Sequence, residues 1–277
     1  MGTSAFSPSP AGPPGVPGPL GVLATVRTAA GLYGADLGRL WQVMALVTVP
    51  LQALVFALRA ITLPPGSVLA QGTIDVPAVG GNGFLITSFL GSVIGALIFL
   101  VSIGAAYRIL LGRHLHHPAD IFTSINFALD RTFGLLWVSI LTGVVVLIGL
   151  FCFILPGIYL AITLAIAVPV LMAEDRRGLA ALARSRELVR GRFWHVFGAT
   201  VIAGAVLIAG ELLFSSLAGS VVSAVDPRSV GADLAISGAL NAVVSVLFTP
   251  FTAAVSVVLY VDMLLRDGDP QLQRLLA

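Results

Sequence analysis

Long apolar stretches dominate the pattern of hydrophobic and polar positions along this chain. A membrane-spanning helix needs about 20 mostly apolar residues, and six stretches approach or exceed that length. They cover residues 37–63, 84–111, 134–155, 157–173, 193–222 and 235–265. Only Pro156 and Gly157 separate the third stretch from the fourth, and this pair indicates a tight turn. The pattern therefore predicts an all-α fold, a polytopic transmembrane helix bundle of six spans arranged as three hairpins.

A short motif recurs where each predicted hairpin begins. Each of the three tryptophans closes a Gly-x-(Leu/Phe)-Trp motif, at residues 38–41, 134–137 and 191–194. Upstream of the motif, the first two copies align without a gap at helical spacing. The aligned apolar positions are Val26, Ala29, Tyr33 and Leu37 in the first copy, and Phe122, Ile125, Leu129 and Phe133 in the second. The sequence predicts three repeats, over about residues 21–111, 118–174 and 177–266.

Each repeat is expected to open with an amphipathic helix in the cytoplasmic-side membrane interface, its apolar face down. Trp41, Trp137 and Trp194 then act as interfacial anchors, since tryptophan favours headgroup depth. An ordinary aromatic belt explains that depth equally well, but not the shared glycine or the gapless stripe. In the third copy, Arg186 and Arg190 follow Leu179 and Leu182 on the apolar side. They either snorkel to phosphates or the helix is lifted onto protein.

Composition agrees with a membrane location. The chain has 277 residues, of which 57% are hydrophobic and 10% charged, whereas a soluble domain carries about 25% charged residues. All 15 basic residues are arginines, and 13 of them fall on one side of the predicted spans, leaving only Arg59 and Arg228 opposite. The positive-inside rule therefore predicts cytoplasmic termini at both ends. The expected location is the bacterial cytoplasmic membrane.

The ends of the chain differ from the membrane domain. Residues 1–20 are rich in Pro, Gly and Ser and lack charge, which predicts a disordered tail. Residues 21–268 form the six-span domain, and residues 269–277 form a short cytoplasmic tail.

Three segments of the second half resemble a known family. They are LPGIYL at 155–160, the acidic Glu174, and ALARSRELVRGRFWHVFG at 181–198. Together they are similar to the membrane domain associated with bacterial glycerophosphodiester phosphodiesterases and to the related YciC-like membrane proteins. The closing segment LYVDMLLRDGDPQL at 259–272 matches more loosely, because Leu265 and Asp267 break the family's pattern. The resemblance implies a membrane domain without the catalytic phosphodiesterase barrel of that family.

Few residues in the predicted spans could carry chemistry. Glu211 is the most intramembrane carboxylate, and such a residue is a candidate polar site. It lies 18 residues past Phe193, which is about 27 Å along a helix and therefore near the outer interface. His114, His116 and His117 lack the accompanying ligands of a metal site, so we expect neither a metal nor a cofactor.

The connector from Arg176 to Arg192, between the fourth and fifth spans, is the strongest candidate for binding. It holds six arginines against one acidic residue, Glu187. Anionic headgroups attract such a segment, and guanidinium groups can bind phosphate through two parallel hydrogen bonds. The candidate headgroup ligands are Arg184, Arg186, Arg190 and Arg192. The alternative is that these arginines only set topology.

We therefore expect a non-catalytic, multi-pass membrane protein with membrane lipids, anionic phospholipids among them, or an unknown membrane protein as partners. Nucleic acid is not expected as a partner. The alternative is a small transporter or channel, because Pro50 and Pro250 would kink spans one and six beside a cavity. A membrane-embedded enzyme is disfavoured, since no constellation of catalytic residues is present.

Overall fold

The structure is a computed structural model that describes residues 20–62, 68–70, 73–75, 82–114, 120–225 and 230–270. Within these ranges the chain is almost entirely helical. The helices are α1 (Val22–Ala35), α2 (Leu37–Thr62), α3 (Asn82–His114), α4 (Ile121–Asp130), α5 (Thr132–Cys152), α6 (Ile154–Thr163), α7 (Ala167–Glu174), α8 (Leu179–Val189), α9 (Phe193–Val225) and α10 (Val230–Asp267). Between α2 and α3, strands β1 (Val68–Ala70) and β2 (Thr73–Asp75) pair antiparallel, with Leu69 opposite Ile74.

Several of these helices can cross a membrane, which confirms the class expected from the sequence. In the described part of the chain, five stretches are long and apolar enough. They are Phe89–Arg113, Thr132–Cys152, Ile154–Glu174, Phe193–Leu217 and Ala242–Asp267. Helix α2, the first predicted span, is not among the five, although its 26 residues would extend about 39 Å. Six spans therefore stay a prediction.

The order of the helices follows the predicted units. A helix of 10 to 14 residues precedes each set of long helices: α1 before α2, α4 before α5, and α8 before α9. Helix α8 is packed on protein, because Ala181, Leu182 and Leu188 are buried. The opposite face, which carries Arg186 and Arg190, is exposed. Superposition of the three units stays a prediction.

The turn between α5 and α6 differs from the one predicted at Pro156 and Gly157. Phe153, with extended backbone angles, is the single residue between the two helices, and Pro156 lies in the first turn of α6. A proline is tolerated there because the first-turn amides have no helical partner. Gly157 is needed because a Cβ at this position would lie 2.7 Å from the backbone nitrogen of Leu150. The two helices can therefore cross in close contact.

The fourth predicted span is also interrupted. Helix α6 ends at Thr163 and α7 begins at Ala167, two residues before Pro169, which fits the first turn of a new helix. The amide of Ala167 donates to Leu164 rather than to Thr163. The carbonyl of Thr163 instead accepts a hydrogen bond of 2.8 Å from the hydroxyl of Ser185 on α8. This break therefore fixes α8 against the hairpin.

The core is centred on the C-terminal half of α10. Every residue from Ala253 to Leu264 except Ser256 is buried, so this helix is covered on all sides. Helix α1 lies along it in the opposite direction, with Leu20 bound to Asp262 and Tyr33 bound to Leu247. Because α1 is antiparallel to α10, the two helices have a similar tilt relative to the membrane. The interfacial placement of α1 stays a prediction.

Candidate functional site

Three elements of the second half meet around the guanidinium group of Arg184. This side chain is 9% exposed, and its Nε lies 3.3 Å from both carboxylate oxygens of Glu174, at the end of α7. Its Nη1 donates to Glu187 at 3.1 Å, and its Nη2 donates to Asp269, beyond the end of α10. The hydroxyl of Tyr260 donates to Glu174 at 3.0 Å. We call these five residues the Arg184 cluster.

Three carboxylates surround the positive charge of Arg184 in the Arg184 cluster. Burial disfavours the charged form of Arg184, but hydrogen bonds to Asp269 and Glu187 and the negative charges of Glu174 and Asp269 outweigh it. The pKa of the guanidinium is therefore raised above its usual range. The side chain of Glu174 is only 4% exposed. Nε of Arg176 makes a second contact with it, at 3.0 Å. The buried carboxylate of Glu174 therefore has two cations, Arg184 and Arg176.

A second ionic contact holds the beginning of the described chain. The side chain of Asp262 is fully buried, and it accepts hydrogen bonds from the backbone amide of Leu20 at 2.7 Å and from Nε of Arg266 at 2.9 Å. Arg266 in turn donates to the carbonyl of Leu20. Nε2 of His195 is 3.0 Å from Asp262, although the pair does not have hydrogen-bond geometry. We call Asp262 and Arg266 the Leu20 clamp.

These contacts involve residues at both predicted boundaries of the membrane domain. Leu20, the last residue of the predicted tail, has both of its backbone polar groups bound. Residues 1–19 of that predicted tail lie outside the described residues. Asp269, the first residue of the predicted cytoplasmic tail, is a member of the Arg184 cluster. The boundaries themselves stay predictions.

The four predicted headgroup ligands fall into two environments. Arg184 is buried in its cluster, and Arg192 is paired with Asp267. Arg186 and Arg190 are exposed, and neither has a carboxylate within 4.0 Å in the described part of the chain. Because Glu187 is bound to Arg184, the one acidic residue of the connector is not available to neutralise them. The structure thus separates two structural arginines from two exposed ones.

The three predicted anchors are exposed, each near the start of a long helix. Nε1 of Trp41 donates to the hydroxyl of Tyr33 at 3.0 Å. The ring of Trp137 lies against Gly178, where a Cβ would come within 3.0 Å of it and where φ is +58°. Trp194 packs edge-on against Phe193 and Phe197. Their common depth in a membrane stays a prediction.

The remaining sequence candidates form no site with other groups. Glu211 is exposed on α9 beside exposed Leu212 and Leu213, so it does not face an enclosed cluster. His114 ends α3, whereas His116 and His117 lie outside the described residues. Across the ranges that the structure describes, no group of three His, Cys, Asp or Glu side chains is placed to hold a metal ion.

Sequence reasoning missed the buried ionic contacts. Glu174, Arg184, Tyr260, Asp262 and Asp269 all lie in the segments that carry the family resemblance, but they were not assigned as partners. One signal was available: a carboxylate at the end of an apolar span needs a cation nearby. The choice of partner depends on how α7, α8 and α10 pack, and the sequence does not state this.

Fold and contacts together define a helical, multi-pass membrane protein whose long apolar helices are joined at their ends by buried ion pairs. The chain belongs to the family described as Domain of unknown function (DUF8558), which matches residues 118–262. That range covers α4 to α9 and most of α10, so it includes Glu174 and Arg184. Comparison with curated proteins and with solved structures finds no match.

Proposed function

We propose that this protein is a non-catalytic membrane protein that binds anionic phospholipids at the cytoplasmic leaflet of a bacterial plasma membrane. The observation that carries the proposal is the outer face of α8, formed by Leu179, Ala183, Arg186 and Arg190. The first three share one side of the helix, Arg190 caps its C-terminal end, and all four are exposed.

The outer face of α8 combines an apolar position with two cations. Leu179 is exposed at one end, and exposed Trp194 follows Arg190 at the other. An apolar side chain can enter the acyl region while each arginine meets phosphate, an attraction of about 1 kcal/mol per basic residue. The resemblance to a membrane domain that lacks its catalytic barrel supports a non-catalytic role. Membership of that family is part of the proposal.

The test compares two pairs of arginines in the same connector. We expect R186Q/R190Q to retain less phosphatidylglycerol on purification than the wild-type protein, measured by native mass spectrometry. The matched control is R176Q/R177Q, which removes the same charge from two residues that are already paired with Glu174 and Asp175. R186K/R190K should also retain less lipid, because lysine lacks the planar fork.

The topology alternative predicts a different result. If the arginines only set orientation, lysine replaces them fully and lipid retention is unchanged in R186K/R190K. Equal loss in R176Q/R177Q and R186Q/R190Q would mean that total charge, rather than the outer face of α8, determines retention. Either result would overturn the proposal.

A further inference from the structure

Two arginines from different helices share one aromatic ring at the junction of α3, α4 and α5. Cζ of Arg108, on α3, is 4.3 Å from the centroid of the Phe127 ring on α4. Cζ of Arg131, the residue between α4 and α5, is 3.8 Å from the same centroid. Both guanidinium groups therefore lie against the same ring. The aromatic ring attracts both, but it cannot neutralise them.

Acidic partners are scarce at this junction. Within the described ranges, Arg108 has no carboxylate at salt-bridge distance. Nε of Arg131 lies 3.3 Å from Asp175, but that half-exposed carboxylate is also 3.5 Å from Arg177. The Nε atoms of both Arg108 and Arg131 are buried and have no hydrogen-bond partner. Buried donors are normally satisfied, so these two N–H groups can bind a group that supplies acceptor oxygens.

The surroundings indicate where such a group comes from. Phe122, Leu129 and Phe133, on α4 and at the start of α5, are exposed around the junction. Arg108 lies five residues before Arg113, at the end of a candidate span. An arginine at that position lies at the depth where headgroups meet acyl chains, and the exposed apolar side chains offer a surface for those chains.

We propose that Arg108 and Arg131, positioned by Phe127, bind the phosphate of an anionic phospholipid. This inference rests on the proposed function and adds a headgroup site separate from the outer face of α8. Each guanidinium group can offer two parallel N–H donors to phosphate oxygens. Phe127 is a positioning residue, because its ring contacts both guanidinium groups.

The test uses the purified full-length protein in detergent and follows its melting temperature as lipid is added. A ligand that binds only the folded state raises that temperature. The probes are dioctanoyl phosphatidylglycerol, dioctanoyl phosphatidylcholine and inorganic phosphate. We expect the wild-type protein to be stabilised by phosphatidylglycerol alone, and R108Q/R131Q to require an at least tenfold higher lipid concentration for the same shift. Stabilisation by inorganic phosphate alone would overturn a lipid as the ligand.

Conservative variants distinguish a loss of lipid binding from a loss of folding. R108K/R131K should bind the lipid several-fold more weakly than the wild-type protein because lysine cannot donate in parallel. F127L should also weaken binding, whereas F127Y should restore it, since tyrosine offers a similar ring face. A purely structural ring would lower the melting temperature in F127L without changing the lipid-dependent shift. Unchanged lipid dependence in R108K/R131K would overturn the inference.

The two proposed sites fail in distinguishable ways. If R186Q/R190Q loses the lipid response and R108Q/R131Q keeps it, the outer face of α8 binds the lipid and the Arg108–Arg131 site is overturned. If only R108Q/R131Q loses the response, the Arg108–Arg131 site stands and the outer face of α8 is overturned.

Discussion

Tyr33 of α1 donates a hydrogen bond of 2.6 Å to the backbone carbonyl of Leu247, three residues before Pro250 in α10. A proline inside a helix removes one backbone hydrogen bond, and its ring presses on the carbonyl four residues earlier. The carbonyl that Pro250 opens is that of Val246, next to Leu247, and in an apolar environment an open carbonyl is costly. Tyr33 donates to the adjacent carbonyl at this weakened turn, while its ring packs edge-on against Phe251 at 5.9 Å.

We predict that Y33F destabilises the protein by about 1 kcal/mol, as for a typical intramolecular hydrogen bond. The same substitution should cost less in a P250A background, because alanine restores the helical amide and closes the turn. The measurement is a double-mutant cycle of thermal unfolding in detergent. Equal costs of Y33F in both backgrounds would mean that the Tyr33 hydrogen bond is not coupled to Pro250.

This contact bears on the transporter alternative. That hypothesis uses a kink at Pro250 to shape a cavity, whereas in the structure Tyr33 of α1 packs on this part of α10, through Leu247 and Phe251. Packing of this kind supports the interpretation that the kink fits the bundle together.

A second prediction concerns the Arg184 cluster. R184M removes the guanidinium group that joins Glu174 to Asp269, which we expect to cost about 3 kcal/mol, the lower end for a broken buried pair, because Glu174 keeps its contact with Arg176. The control is R186M on the same helix, where an exposed arginine should change stability by no more than about 0.5 kcal/mol. Thermal unfolding of both variants in the same detergent gives the comparison. Similar melting temperatures for the two would mean that the cluster contributes little to stability.

How far the sequence predicts this fold depends on the kind of signal. Apolar length alone indicates the long helices, because lipid requires about 20 apolar residues for each span. The Gly-x-x-Trp motif correctly indicates that a new long helix begins near Trp41, Trp137 and Trp194. The break between α6 and α7 was not predicted, because the sequence on both sides of it is apolar. Pro169 was the only local sign of the break.

The site was less predictable for a physical reason. Six arginines of one connector look alike in sequence, yet Arg184 is buried among carboxylates and Arg186 is exposed two residues later. A helix turns by about 100° per residue, so neighbours two apart face different surroundings. Which face is covered depends on α7 and α10, which are distant in sequence. Phe127 likewise gave no sign that two arginines would meet on its ring.

Membrane topology gives a third prediction. Reporter fusions after Asp75 and after Val230 should report the outer side, and fusions after His117 and after Ala180 should report the cytoplasm. The expectation follows from the arginine bias across the predicted spans. The experiment also tests whether α2 crosses the membrane. If α2 does not cross it, the fusion after Asp75 reports the cytoplasm. Any exchange between the two sides would contradict the six-span arrangement.

The Leu20 clamp gives the fourth prediction, which is tested by digestion with trypsin. The chain contains no lysine. Trypsin can cut only after arginine, and Arg27 is exposed on α1. Cleavage there requires α1 to leave α10, because a protease needs a locally unfolded segment. D262A removes the acceptor that binds the amide of Leu20 and leaves Arg266 without its carboxylate.

Loss of these contacts should raise the population of the open state about tenfold or more, given that a hydrogen bond to a charged group contributes about 1.5–3 kcal/mol. The rate of cleavage after Arg27 should rise by the same factor, since proteolysis follows that population when reclosing is fast. The control is D267A, five residues further along, which breaks the pair with Arg192 and leaves Leu20 bound. Mass spectrometry of the released fragment 1–27 gives the rate. Faster cleavage after the buried Arg184 as well would indicate global unfolding, whereas equal rates after Arg27 in D262A and D267A would mean that the clamp does not hold α1.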